Sequence, residues 1–222
     1  MSWIKRALGM GAPLPKNDKT EGGAITNASP MGLTRGRMIC LDSSLKLLLD
    51  GHSHVTVPGD EKVWAVGNID LGQSMRLLRF YLDDEDYFLQ VVMNGPSNGD
   101  IQDIILFGYH SVTTINSEQE LLRLSGPGAK LGMPRYELDG EEYGREWGSE
   151  DGQTELTPLL EYVKSPEKSY RIRHNCMLYA RDIGLVNRRE FLLLSVEEDE
   201  EGVISLSTAV GVTLQPTDLS VL

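Results

Sequence analysis

The stretch Val203-Ile-Ser-Leu-Ser-Thr-Ala-Val-Gly-Val-Thr-Leu214 places Ile204, Leu206, Val210, Val212 and Leu214 on one side of an extended backbone, with small or polar residues on the other. Side chains of a strand point alternately to its two faces, so a period of two predicts a half-buried strand and is incompatible with a helix. The pattern recurs along the chain. Residues 190–196 form a second strand, joined to the first through Glu197-Glu-Asp-Glu-Glu-Gly202, and the two read as a hairpin. Strands over 75–82 and 87–93 flank the acidic turn Asp83-Asp-Glu-Asp86 as another hairpin. Further strands are expected at 62–71, 104–114, 136–138, 142–147, 156–163 and 170–183.

One helix has a clear start. Ser117-Glu-Gln-Glu120 fits a capping box, Leu121, Leu122 and Leu124 follow, and Gly126-Pro127-Gly128 stops it. Residues 43–49 stay open between strand and helix, because Leu45, Leu47 and Leu49 alternate over only a short run. The expected fold class is α+β and β-dominated: consecutive antiparallel hairpins with one short helix and a disordered N-terminal tail.

The tail is marked by charge. Residues 1–37 hold six bases against two acids, a net of +4 in a chain of net −12, which leaves −16 for the rest. Six glycines and three prolines in the same segment leave little to bury, so 1–37 reads as a flexible basic tail and 38–222 as a single β-rich globular domain. A chain of this length buries about 70% of its unfolded surface without disulfides. Cys40 and Cys176 are too few for a disulfide framework. No apolar run approaches the roughly 18–20 residues that span a bilayer, and the start lacks the apolar core of a signal peptide. The expected location is cytoplasmic. So acidic a body predicts no nucleic-acid partner.

His52-Ser-His54 is the first candidate site. On an extended segment, residues i and i+2 face the same side about 6.6 Å apart, so both imidazoles can meet one metal ion. The pair also follows Asp50-Gly51, a turn signal, which predicts two solvent-exposed histidines instead. The four acidic runs, at 83–86, 139–142, 150–152 and 197–201, lack the ligand spacing of a calcium loop and read as solvated turns.

An extended 170–182 shows Tyr170, Ile172, His174, Cys176, Leu178 and Ala180 on one face. His174 with Cys176 is the minimum for a thiolate nucleophile, although a free Cys among apolar neighbours is more often core packing. The other face carries Arg171, Arg173 and Arg181 with Tyr179. Arginine beside an aromatic suits an interaction surface, and carboxylates on a neighbouring strand are the competing partners. Trp3, Ile4, Lys5 and Arg6 begin a short amphipathic stretch suited to a peripheral membrane or protein contact. No phosphate loop and no nucleophile elbow is present, so no catalytic residue is assigned and no cofactor is expected.

The block order is distinctive: Met31-Gly-Leu-Thr-Arg-Gly-Arg-Met, Val66-Gly-Asn-Ile-Asp-Leu-Gly72, Leu78-Arg-Phe-Tyr-Leu-Asp-Asp84, Phe88-Leu-Gln-Val91, Tyr136-Glu-Leu-Asp-Gly140, Arg173-His-Asn-Cys-Met-Leu-Tyr179 and Glu190-Phe-Leu-Leu193. Over roughly residues 31–219 it resembles the YjfK-like family of bacterial proteins of unknown function. The resemblance implies no activity and no catalytic residues. It implies a gene neighbourhood with phage-shock-protein-A-like membrane-stress proteins, and hence an accessory role at the inner membrane. The expected function is a non-enzymatic interaction or adaptor protein with such a partner. The alternative is a β-rich ligand- or metal-binding protein or enzyme using His52/His54 or Cys176/His174.

Overall fold

Residues 29–95, 100–148 and 151–222 are described by the structure, a computed structural model. The strands are β1 (Met38–Leu41), β2 (Glu61–Gly72), β3 (Met75–Leu82), β4 (Tyr87–Asn94), β5 (Ile101–Thr114), β6 (Arg135–Leu138), β7 (Glu141–Arg145), β8 (Thr157–Lys164), β9 (Ser169–Asp182), β10 (Arg189–Glu198), β11 (Ile204–Thr213) and β12 (Leu219–Val221). Two short helices join them: α1 (Ser43–Leu49) and α2 (Glu118–Ser125). The expected hairpins β3–β4 and β10–β11 form, and every pairing is antiparallel.

The hairpins close on themselves. Going round in the order β2, β3, β4, β5, β11, β10, β9, β8, each strand pairs with the next, and β8 returns to β2 with Val66 opposite Lys164 and Ile69 opposite Glu161. The result is an eight-stranded barrel, which removes the sheet edges that an open stack of hairpins would expose. β12 and β1 extend it beside β2, and the β6–β7 hairpin extends it beside β9.

Register carries one face through the whole ring. Gly67 faces Arg79, Arg79 faces Gln90, Gln90 faces Ile105; further round, Ser207 faces Ser195, Ser195 faces Cys176, and His174 faces Leu159. These residues line the interior together with Phe88, Phe107, Phe191, Leu193 and Ala209. The opposite face carries Phe80, Leu89, Leu106, Tyr179, Leu192 and Val212, and it is buried too, under Leu45 and Leu49 of α1, Leu121 of α2, and Leu33 and Leu131. β11 is therefore covered on both faces over residues 208–212, not half-buried as its alternation suggested. The chain's loops and helices supply the missing layer.

α1 settles the open reading of 43–49: Asp42 accepts the Ser44 amide at 2.8 Å as N-cap, and a second helix joins the one expected. At α2, Ser117 Oγ accepts the Glu120 amide, while the Glu120 carboxylate reaches back to the Asn116 amide. Residues 29–37, placed in the tail by their composition, are in part packed. Pro30 and Leu33 are buried, the Gly36 N–H donates to Val63 O at 2.8 Å, and the Arg35 guanidinium donates to Ser165 O. One buried leucine with fixed backbone hydrogen bonds is enough to draw this stretch onto the barrel.

Candidate functional site

Inside the barrel the apolar filling is interrupted by an ionised cluster. Arg79 enters from β3, Gln90 from β4, Glu161 from β8, His174 and Cys176 from β9, Ser195 and Glu197 from β10, and Ser207 from β11. Glu161 sits at the centre. Its Oε2 accepts from Arg79 Nη1 at 2.9 Å and lies 2.9 Å from His174 Nε2, while Oε1 accepts from Tyr81 Oη at 2.8 Å. Arg79 Nε donates to Gln90 Oε1 at 3.1 Å, and its guanidinium stands over the Phe88 ring. His174 Nδ1 lies 3.1 Å from Ser195 Oγ and 3.6 Å from Glu197 Oε1, and the Ser207 hydroxyl donates to the same Glu197 oxygen.

Charge balance explains why this arrangement holds. Burial by itself would raise the Glu161 carboxyl, but Arg79 beside it and hydrogen bonds from His174 and Tyr81 outweigh that and hold it down to about 2. Burial by itself would lower His174, but hydrogen bonds to Glu161 and Glu197 raise it. Glu197 is held below the usual range, its burial outweighed by His174 and Ser207. Two carboxylates thus face one guanidinium and an imidazole whose hold on a proton they strengthen. Room for the Glu161 side chain comes from Gly67, where a Cβ would stand 1.7 Å from Glu161 Oε1.

Ser195, His174 and Glu161 are connected in the order hydroxyl, imidazole, carboxylate, as in a nucleophile triad. They are 1%, 2% and 0% exposed, and Arg79 shares the carboxylate oxygen on which the imidazole rests. The Cys176 thiol, which donates to Ser195 Oγ at 3.2 Å, is pushed up to about 12 by burial. In this conformation the cluster holds charge in a closed interior and presents no nucleophile to a substrate.

The His52-Ser-His54 segment lies outside the barrel, and its middle residue makes the main contact. Buried Glu190 accepts from Ser53 Oγ, the His54 amide, Tyr143 Oη and Arg181 Nε at 2.5 to 2.7 Å. His52 Nδ1 lies 3.0 Å from Ile183 O. Among the described residues, no group of three or more His, Cys, Asp or Glu side chains is placed to hold a metal. The arginine face divides likewise. Arg171 pairs with Glu200 and Arg173 with Glu198, while Arg181 is held by Glu190 and Glu141. Tyr179 is fully buried, accepting the Gly132 amide at 2.8 Å, so it does not share an exposed surface with Arg171 and Arg173. Trp3, Ile4, Lys5 and Arg6 lie outside the described residues.

An open depression of about 440 Å³ lies at one end of the barrel, lined by Asp103, Asp182, Asn187, Arg188, Arg189 and Phe191 among others. Its two arginines are engaged: Arg188 grips Asp218 through both terminal nitrogens, and Arg189 does the same to Glu146.

A family model described as a protein of unknown function matches residues 3–220. The chain belongs to the DUF2491 family. No curated protein and no solved structure matches it. The residues that organise this DUF2491 barrel, Arg79, Glu161 and Glu190, were not singled out in the sequence. The first two carry a readable signal. Arg79 stands between Leu77 and Tyr81 on one strand face, and Glu161 between Leu159 and Val163. A lone charge among alternating apolar positions implies a partner in the core.

Proposed function

We propose that this DUF2491 protein is a non-enzymatic interaction module. The observation that carries the reading is the filled interior: Phe88, Phe107, Phe191, Leu193 and the Arg79–Glu161–His174 cluster occupy the space that ligand-binding barrels leave open. A barrel packed this way offers its outer surface and ends for recognition. The YjfK-like resemblance supplies a partner class, a phage-shock-protein-A-like membrane-stress protein, in the cytoplasm and at the inner membrane. The amphipathic stretch Trp3, Ile4, Lys5 and Arg6 is suited to the membrane side of such an assembly.

The test is affinity purification of the C-terminally tagged chain from its native cells. A phage-shock-protein-A-like protein in stoichiometric amount is the expected result; a chain that emerges alone at physiological salt overturns the reading. A companion truncation should end at residue 28 and not at 37, since the longer deletion removes Leu33 from the core.

A further inference from the structure

β5 runs past its neighbour. β4 begins with Tyr87 opposite Gly108, and the Tyr109 amide donates to Asp86 O at 2.8 Å as the last backbone hydrogen bond to that neighbour. Residues 111–114 go on to pair with β11, Ser111 opposite Thr208 and Thr114 opposite Ser205. On the other side no strand of the described residues faces them. Residues 110–114 are all exposed, Val112 at 60%.

The direction of the free backbone groups follows from the ladder. The Ile115 amide donates to Ile204 O at 2.8 Å, so alternation turns Thr113 and Ser111 toward β11, and Val112 and Thr114 outward. The outward Thr114 carbonyl meets only the Asn116 side chain, at 3.4 Å.

Other open edges here carry the devices that block strand addition. β6 is four residues long and carries Arg135 and Glu137; β12 has three residues; the half of β8 that leaves β2 begins Thr157-Pro158. At β5 the register shift falls at His110, and the Ser111-Val-Thr-Thr114 that follows is regular, uncharged, free of proline and β-branched at its last three positions. Its surroundings are acidic. Asp83-Asp-Glu-Asp86 lies at one end, Glu118 and Glu120 at the other, and no Lys or Arg occurs between Ile101 and Ser117.

We propose that the free edge of β5 at residues 111–114 takes an extended, lysine- or arginine-bearing segment of a partner protein as an added strand. Main-chain hydrogen bonds to Val112 and Thr114 supply the pairing, and the two acidic ends select a basic occupant. A second copy of this chain fits worse, because antiparallel pairing of two identical edges sets the 83–86 turn of each against the Glu118 end of the other. The proposal deepens the interaction-module reading and rests on it.

The test titrates the full chain with an acetylated, amidated eight-residue peptide of alternating lysine and valine, followed by backbone amide shifts. A glutamate–valine peptide of equal length is the control. Shifts confined to residues 110–114 and 85–86 are expected, with no binding of the control. Val112→Pro removes an outward amide without touching the β11 ladder and should weaken binding at least tenfold. Thr114→Lys, which keeps the backbone, should weaken it through charge and guards against a folding defect in the proline variant. Equal binding of both peptides, shifts elsewhere, no binding, or insensitivity to both substitutions overturns the proposal. So does self-association that Val112→Pro abolishes, which assigns the edge to a second copy. A native partner retained equally by Val112→Pro would sink the edge and leave the module reading standing; peptide binding at the edge without a native partner would do the reverse.

Discussion

Arg79 Nη1 and Glu161 Oε2 lie 2.9 Å apart across β2, which contributes only Gly67 between them. The pair is closed off from solvent, so each charge depends on the other. Removing two charges from water costs about as much as their attraction returns, whereas removing one strands its partner.

Glu161→Gln is therefore expected to destabilise the barrel by about 3–5 kcal/mol. Gly67→Ala, which drives a methyl group into the carboxylate, should approach the same loss without changing any charge. The double variant Arg79→Met/Glu161→Leu should recover much of it. Urea midpoints of the four proteins decide the matter; a double variant no better than Glu161→Gln would show that packing, and not stranded charge, dominates.

Stability should fall on both sides of a plateau in pH. Glu161 drops from an ordinary 4.5 to about 2 in the fold, so its contribution, on the order of 3 kcal/mol, is complete above about pH 4.5 and is lost as pH falls toward 2. His174 is raised, so its contribution is complete below about pH 6.5 and is lost as pH rises through its value in the fold. Comparing unfolding free energies of wild type and His174→Gln from pH 5 to 9 isolates the second limb. A difference that rises with pH between 5 and about 6.5 would mean that the imidazole is neutral in the fold, and a constant one that it binds its proton equally well folded and unfolded; either outcome sinks this limb.

Glu190→Ala is expected to cost about 3–5 kcal/mol, since it leaves the Arg181 guanidinium, the Tyr143 hydroxyl and the His54 amide without their shared acceptor. Hydrogen exchange at His54 should speed up more than exchange in β10 or β11. Uniform acceleration across all three would indicate global loss of stability with no local release.

Cys176 should resist iodoacetamide in the native state, because burial raises its thiol to about 12 and covers its sulfur. Cys40, partly exposed, should react first. Labelling of Cys176 at the rate of global unfolding is expected, and mass spectrometry of peptides from a timed quench measures it; faster labelling would reveal a local opening into the barrel.

Much of the fold is visible in single residues. The face Tyr170, Ile172, His174, Cys176, Leu178 and Ala180 predicted for one strand is the face β9 turns inward, and the capping signal at Ser117 marks the helix that forms. The sites were less legible. In His52-Ser-His54 the histidines attract attention, yet Ser53 makes the contact, because its acceptor Glu190 is 137 positions away. Arg173 and Arg181 met carboxylates directly opposite on the neighbouring strand β10, Glu198 and buried Glu190, while Arg171, on the same face, met Glu200 in the turn that follows β10.

The amino-acid sequence by itself determined which side chains share a face, since alternation is a local property of an extended backbone and needs no partner. Beyond the β3–β4 and β10–β11 hairpins, it did not determine which strands meet. The seam between β2 and β8 joins Val66 to Lys164 with no signal in either segment, and it forms because closure pairs backbone groups that an open sheet leaves to water. Only that closure turns Arg79, Glu161 and His174 toward one another. Their pairing, the burial of Cys176 and the free edge of β5 at residues 111–114 are consequences of the ring and not of any motif within it.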